Sequence, residues 1–304
     1  MKVKDRSILA LITLVDDPDE RIFEHVRTEL LERGKEAIPH LEQLIIDAKI
    51  HPEHVQRIEH LIKSINFQAV ESSLRNWIKS PDKNLLEGVC ILSSFQYPDL
   101  QVELIKEHLY EIRKDIWLEI NPKQTSFEIT KTFNRIFFDY HQFRRSKTKV
   151  YTPFDYFIPA VLEGREGTEL SLGIVYSIIA QSLDLPVYGV LYPINRFILA
   201  YMDRDHIMTQ LDLDKHNEGI LFYLNIEEKG KMLNREILES ELLKRKQRLK
   251  KSFFEPASNS DVLKEYLRQI IRSCDSWRNL SYKSPYYKKL LTLFEEDIPD
   301  KNAH

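Results

Sequence analysis

Apolar residues recur every three or four positions along the first quarter of the chain, which is the spacing of one helix face. Asp17-Pro18 supplies a helix N-cap followed by a proline in the first turn, and Gly34 lies where a helix-ending glycine is expected. The pattern predicts short antiparallel helices up to the interruption at Ser80-Pro81. The residues predicted to face inward in the first three helices are Ile8, Leu11, Ile12, Val15, Ile22, Val26, Leu30, Leu41, Leu44 and Ile45.

The helical pattern continues to about residue 140, and a different pattern begins after Lys149. Four runs there are rich in β-branched and aromatic residues, which favour strands. These predicted strands are residues 186–192, 197–201, 206–211 and 220–224. One helix precedes them, and helical spacing returns from Asn234 onwards, with a charged helix extending to about Lys251. We therefore expect an α+β fold that is predominantly α-helical, with a small antiparallel sheet beside a central helix.

Composition narrows the functional classes. The 304 residues include only 8 glycines, where about twenty would be present at the usual ~7%, so glycine-rich phosphate loops are not expected. The 44 Lys and Arg nearly balance the 47 Asp and Glu, so no overall field attracts nucleic acid or an acidic membrane. Cys90 and Cys274 form no disulfide framework, and Cys90 is interpreted as a buried structural thiol. No apolar run approaches ~18 residues, and Asp16 and Asp17 end the N-terminal apolar stretch, so a cytoplasmic protein is expected.

Residues 161–197, VLEGREGTELSLGIVYSIIAQSLDLPVYGVLYPINRF, resemble the central segment of the SirB-type transglutaminase-like proteins of bacteria. FFDYHQFRRSKTKVYTPFDYFIPAVL, ILFYLNIEEKG and FFEPASNSDVLKEYLRQII also look like successive segments of that family, so the similarity covers roughly residues 85–290. The N-terminal helix pairs resemble HEAT-type repeats. The resemblance implies a helical HEAT-like region over residues 1–80, a papain-like transglutaminase core over 81–232, and a tetratricopeptide-like helical region over 233–304.

In active members of that family a cysteine at the start of the central helix attacks an amide, a histidine takes the proton, and an aspartate orients the histidine. The matching positions here hold Ser171, Asn195 or Arg196, and Asn225. A serine hydroxyl is far less acidic than a thiol, and neither an amide nor a guanidinium is a general base near pH 7. The resemblance therefore predicts a papain-like frame without its triad.

The expected function is binding of a protein or peptide segment by a catalytically degenerate transglutaminase-like protein. Residues expected to contact the ligand are Gly167, Glu169, Tyr192, Pro193 and Arg196, with Tyr192 and Arg196 at the rim of a cleft. No cofactor and no metal ion is expected, and homo-oligomers are left open. His51, His54 and His60 come without a metal-binding motif and are interpreted as ordinary helix-face residues.

Two other functional classes remain open from the sequence. The first is a serine-dependent amidase, protease or acyl transferase that uses Ser171 with His206 as its base. The second is a nucleic-acid-associated regulator that uses the basic run KRKQRLKK at residues 244–251. Acidic Glu236, Glu239 and Glu241 precede that run on the same predicted helix, which favours a helix with cations at its C-terminus over a nucleic-acid surface.

Overall fold

The computed structural model describes residues 3–15, 17, 19–46, 52–121, 123–148, 150–193, 195–204 and 219–296. Helices dominate these residues, and two small sheets accompany them, so the predicted α+β class is confirmed. The protein divides into two compact units. The first consists of Met1–Lys79 and Ser94–Asp99, and the second of Ser80–Ser93 and Leu100–His304.

The first unit is built from helices around one apolar core. Asp19 caps the second helix by accepting the Arg21 N–H, whereas Asp17, the predicted cap, accepts only the Asp19 N–H. Gly34 ends that helix at φ +66°, a conformation that favours glycine. The helices are α1 Val3–Ile12, α2 Glu20–Arg33, α3 Ile38–Ile46 and α4 Pro52–Lys79. Their shared core consists of Ile8, Ile12, Val15, Phe23, Val26, Leu30, Ala37, Leu41, Ile58, Leu61 and Ile65.

The helices that follow in sequence order are α5 Leu85–Ser94, α6 Val102–Glu119, α7 Ser126–Asn134, α8 Ile158–Gly164, α9 Glu169–Ser182, α10 Arg235–Lys244, α11 Asn259–Ser276 and α12 Ser284–Glu296. The π-helical segment Arg135–Tyr140 extends α7 as far as His141, whose Nε2 lies 2.9 Å from Asp115 Oδ2. None of the helices in the described part of the protein is both long and apolar enough to cross a membrane.

Helix α10 ends at Lys244, although the sequence predicted a helix to about Lys251. Leu238 and Leu242 are fully buried, but Leu243 and Leu249 are exposed, so no apolar face continues beyond Lys244. The closely spaced cations that follow would also repel one another at helical spacing. The basic run therefore leaves the helix as an irregular, exposed segment.

The main sheet has four antiparallel strands in the order β3-β4-β5-β6: β3 Val187–Tyr192, β4 Arg196–Met202, β5 Ile220–Asn225 and β6 Lys231–Leu233. Three of the predicted strands match β3, β4 and β5, and the predicted strand at 206–211 lies outside the described residues. A second, parallel pair joins β1 Arg144–Arg145 to β2 Glu166–Gly167. Helix α9 packs on one face of the main sheet. A separate apolar core combines sheet residues, among them Val190, Ile198 and Tyr223, with Leu238 and Leu242 of α10.

Phe197 fixes the approach of α9 to the sheet. Its side chain is 2% exposed. A Cβ added to Gly173 of α9 would lie 2.6 Å from Phe197 Cδ1, and a Cβ added to Gly189 of β3 would lie 2.4 Å from Phe197 Cζ. The ring therefore fills the space that both glycines leave open, and the N-terminal half of α9 is held close to the start of β4.

Candidate functional site

The first turn of α9 carries Ser171, the position at which the resemblance places a nucleophile. Thr168 caps the helix, so Ser171 is the third helical residue. The sequence had suggested that Ser171 is the first residue of this helix. The Thr168 hydroxyl accepts the Ser171 N–H at 3.1 Å, and the Ser171 hydroxyl accepts the Thr168 N–H at 2.9 Å. This reciprocal capping box makes the Ser171 side chain part of the helix start.

The hydroxyl proton of Ser171 is also occupied. Ser171 Oγ donates to the Asp155 carbonyl at 2.7 Å, and the side chain is only 3% exposed. Asp155 belongs to a short 3-10 turn, Pro153–Asp155, which has its own capping box with Thr152. The Ser171 hydroxyl thus connects two capped segments, and no base among the described residues accepts its proton.

Gly167 supports this arrangement from the preceding strand. A Cβ at this position would lie 2.5 Å from Ser171 Oγ and 3.2 Å from the Asp155 carbonyl oxygen. The Gly167 carbonyl accepts the Ser146 N–H at 2.9 Å. Gly167 is buried and lets β2 pass close to the Ser171 hydroxyl, which is a structural explanation for the glycine.

Arg196 begins β4, and acidic side chains from two helices hold it. Its Nη1 donates to both carboxylate oxygens of Glu241 on α10, at 2.7 and 3.0 Å. Its Nε lies 3.9 Å from Glu169 Oε2 at the start of α9. Its guanidinium also lies over the Tyr192 ring, 5.8 Å from the centroid. Of the two residues that the resemblance offers at the family's histidine position, Asn195 and Arg196, the second is therefore an arginine paired with carboxylates.

Glu169 and Arg196 show that the start of α9 and the start of β4 meet. Burial raises the pKa of the Glu169 carboxyl, and the charge of Arg196, the charge of Arg145 and a hydrogen bond from the Phe197 N–H oppose that shift. Glu169 Oε2 and Arg196 Nε are both enclosed without a hydrogen-bond partner among the described residues. The two side chains therefore attract each other electrostatically, but these two atoms form no hydrogen bond with each other.

Asn225, which the resemblance places at the family's aspartate position, ends β5 and caps the turn Ile226–Glu228. Its Oδ1 accepts the Glu227 N–H at 3.1 Å, and its Nδ2 donates to Glu228 Oε1 at 2.7 Å. The side chain is 3% exposed. Both ends of the amide are used locally, and the residue holds no imidazole. The alternative base, His206, lies outside the described residues.

A cavity of about 220 Å³ lies beside the β3–β4 hairpin. The residues that line it are Leu191, Tyr192, Pro193, Asn195, Arg196, Phe197, Glu265 and Gln269. Tyr192 was expected at a rim, but its side chain is buried in an apolar core, and its hydroxyl donates to the Leu238 carbonyl at 2.7 Å. Burial and the nearby Glu241 raise the pKa of Tyr192 to about 12, so the phenol stays protonated. Pro193 is only half-buried.

Sequence reasoning did not identify the two α11 residues in this lining, or Arg272, which donates to Asn195 Oδ1 at 3.1 Å. Asn195 has φ +56°, a conformation that asparagine tolerates better than most residues. The family that this sequence resembles has PGHF where this sequence has PINRF. The one extra residue between proline and phenylalanine was the visible signal of an unusual turn. The α11 residues lie about seventy positions further on and gave no comparable signal.

The thiols of Cys90 and Cys274 are held in their protonated, unreactive form. Burial raises the pKa of Cys90 to about 12 and that of Cys274 to about 11, so both remain thiols near neutral pH. Within the described ranges no group of three or more His, Cys, Asp or Glu side chains is arranged to hold a metal ion.

Comparison with known proteins agrees with the architecture of this region. A family model described as the transglutaminase-like superfamily matches residues 103–268, which is more than half of the protein and includes α9, the four-stranded sheet and the first half of α11. No curated protein and no solved structure is significantly similar to this sequence.

Proposed function

Because the protein belongs to the transglutaminase-like superfamily, we propose that it is a catalytically inactive member that binds a protein or peptide segment. The observation that carries the proposal is the state of Ser171. Its hydroxyl is buried, accepts the Thr168 N–H and donates to the Asp155 carbonyl. A serine nucleophile needs a base that accepts its proton, and a peptide carbonyl cannot take that proton away.

The two other triad positions support the same proposal. At the histidine position, which the resemblance assigns to Asn195 or Arg196, the Asn195 amide accepts from Arg272 and the Arg196 guanidinium donates to Glu241, while Asn225 is committed to a turn. Neither an amide nor a guanidinium accepts a nucleophile's proton near pH 7, and the Asn225 amide is already bonded to Glu227 and Glu228. The frame that would carry the triad is retained, since α9, β4 and β5 stand in family order. A retained frame without proton-transfer groups is suited to binding.

We also propose the finer assignments that the sequence motifs suggest. The motif of residues 161–197 supports a SirB-type protein of bacterial type, and the four helices of the first unit support a HEAT-like region that offers a second interaction surface. The near-zero net charge and the absence of a long apolar run support a cytoplasmic protein.

The proposal is tested by incubating the purified protein with a peptide library that contains glutamine and an amine donor, and by following hydrolysis and amide transfer by mass spectrometry. The matched variants are Ser171→Ala and Ser177→Ala, since Ser177 is also buried in α9 and its hydroxyl donates to the Ile174 carbonyl at 3.0 Å. We expect no turnover by any of the three proteins and unchanged peptide binding by Ser171→Ala.

The serine-enzyme alternative gives the opposite result. Time-dependent turnover that is abolished by Ser171→Ala and kept by Ser177→Ala would overturn the proposal. Loss of that turnover in His206→Ala as well would then identify the base. The nucleic-acid alternative predicts salt-dependent binding of DNA or RNA by the wild type.

A further inference from the structure

Strand β3 lies at the edge of the four-stranded sheet, and its hydrogen-bonding register is fixed. The Met202 N–H donates to the Pro186 carbonyl at 2.8 Å, and the paired residues then alternate along β3 and β4. Tyr188, Val190 and Tyr192 bond to β4, because hydrogen-bonded pairs recur every second residue in an antiparallel pair. The peptide groups of alternate residues 187, 189 and 191 must point to the outer side of β3.

The first two of these outward residues already bond to other parts of the protein through their carbonyls. The Val187 carbonyl accepts Gln181 Nε2 at 2.8 Å, and the Gly189 carbonyl accepts the Ala257 N–H at 2.8 Å, just before α11 begins. These two bonds also confirm the direction derived from the register. Leu191 is the third, and in the described part of the protein no partner bonds to its N–H or its carbonyl on the outer side.

Leu191 lies in the wall of the cavity of about 220 Å³ between the hairpin and α11. This volume is below the roughly 300–1,000 Å³ of sites that enclose a whole small molecule. The cavity has room for about one residue of a longer ligand. An exposed strand edge with a free donor and acceptor is the standard element that captures an extended peptide by adding a strand.

The two charged residues of the lining, Arg196 and Glu265, are both paired within the protein. Arg196 is paired with Glu241, and Glu265 is paired with Arg272 at 3.4 Å and with Arg268 at 3.7 Å. Gln269 Nε2 donates to Glu265 Oε1, and Asn195 Oδ1 accepts from Arg272, so each of these two amides keeps one group for a ligand. The groups that remain are uncharged amides, which complement a peptide backbone better than a charged side chain.

We propose that this cleft binds one residue of an extended peptide, whose backbone carbonyl and N–H pair with the Leu191 N–H and carbonyl and whose uncharged side chain enters the cavity. The peptide thereby extends the sheet by a short strand next to β3. This inference rests on the proposed peptide-binding function and names the residues and the ligand class of that site.

The experiment starts from a displayed library of random seven-residue peptides, selected on the wild-type protein. The selected peptide is synthesised and then N-methylated at one position at a time, which removes one backbone N–H while keeping the side chain. We expect one position at which N-methylation weakens binding by about tenfold or more, while methylation at positions outside the cleft changes affinity by less than about threefold.

Protein variants test the same contact from the other side. Leu191→Pro removes the outward N–H and breaks no bond to β4, and proline is tolerated at such an edge position. Leu191→Val keeps the N–H and serves as its control, while Gln269→Arg fills the cavity and Gln247→Arg adds the same charge on an exposed segment. We expect Leu191→Pro and Gln269→Arg to weaken binding at least tenfold, and both controls to bind as the wild type does.

The possible outcomes separate this inference from the proposed function. If a peptide binds but tolerates every N-methylation, and Gln269→Arg still binds it, the edge of β3 is not the site and the inference fails while peptide binding stands. The N-methyl series does not depend on the folding of any variant. A library that yields no peptide also overturns the inference, because a site that reads the peptide backbone tolerates many sequences. Turnover that requires Ser171 overturns the proposed function instead.

Discussion

Phe197 gives a direct test of how closely α9 and β3 approach each other. An alanine Cβ at Gly173 would lie 2.6 Å from Phe197 Cδ1, and one at Gly189 would lie 2.4 Å from Cζ. Real Cβ contacts are never this short, so the ring or the backbone must move. The ring is 2% exposed, and it cannot turn away from one glycine without approaching other atoms of the core.

The expected size follows from two opposing effects. Overpacking a core costs about 1–3 kcal/mol. Replacing glycine by alanine inside a helix or strand gains about 0.5–1 kcal/mol, because glycine loses more backbone freedom on folding. Gly173→Ala and Gly189→Ala should each lower the free energy of unfolding by about 0.5–2 kcal/mol. In a Phe197→Leu background Gly189→Ala should be neutral or stabilising, since the Cζ and Cε2 atoms that its Cβ would meet are gone. Gly173→Ala should cost less than in the wild type but keep part of its cost, since Cε1 is gone while leucine retains a Cδ carbon.

The assay is urea denaturation followed by far-UV circular dichroism, applied to the single variants and to each alanine combined with Phe197→Leu. A coupling energy of about 0.5–3 kcal/mol is expected, as for residues in direct contact. Gly164→Ala is the matched control, because a Cβ there meets nothing within 4 Å and the residue is helical. Losses that are strictly additive with Phe197→Leu, or equally large for Gly164→Ala, would refute the reasoning.

Three further predictions concern the polar interactions. Ser171→Ala should lower the free energy of unfolding by about 1–2 kcal/mol in chemical denaturation, because the bonds from the Ser171 hydroxyl to the Thr168 N–H and to the Asp155 carbonyl are lost. An unchanged stability would show that the capping box contributes nothing. Arg196→Met should lower the free energy of unfolding by about 1–3 kcal/mol, which lies between the ranges for exposed and buried ion pairs. Adding Glu241→Leu should restore much of this loss, and no restoration would mean that the two residues are not coupled. Burial lowers the pKa of His141, and the bond to Asp115 only partly opposes this shift. Just below about pH 6.5, the His141 pKa of the unfolded protein, the unfolded protein therefore binds more protons than the folded protein does. The free energy of unfolding falls as the pH drops towards the lower His141 pKa of the folded protein. Denaturation at pH 7, 6 and 5 should show this fall in the wild type but less of it in His141→Gln, and parallel curves would contradict it.

Local signals were enough to predict much of the core architecture. Strand β3 follows Pro186 and contains valines and tyrosines, so its extent was predicted to within one residue. The helix that carries Ser171 was recognised from its apolar spacing, and Cys90 was expected to be buried, as it is. These features depend on side-chain type and on spacing over a few residues, which the sequence displays directly.

The hydrogen-bond partners of the candidate site residues could not be predicted in the same way. The acceptor of the Ser171 proton is a backbone carbonyl sixteen residues earlier, at Asp155. The partner of Arg196 is Glu241, forty-five residues later, and sequence analysis treated that glutamate as part of a helix charge balance. Both pairings arise only when the protein is folded, because no local pattern reports which distant group will face a given side chain.

The capping box at the start of α9 also bears on how this protein can change over evolutionary time. A cysteine at position 171 would bring a larger atom and a weaker hydrogen-bonding group next to the space that Gly167 leaves open. The Thr168 N–H would lose its hydroxyl acceptor and the Asp155 carbonyl would lose its hydroxyl donor before any reactivity was gained. Several substitutions, including a release of the β4 start from Glu241, would have to accumulate first. Under the proposed binding function, the fold therefore acts as an epistatic barrier to cysteine-based catalysis that more than one substitution would have to cross.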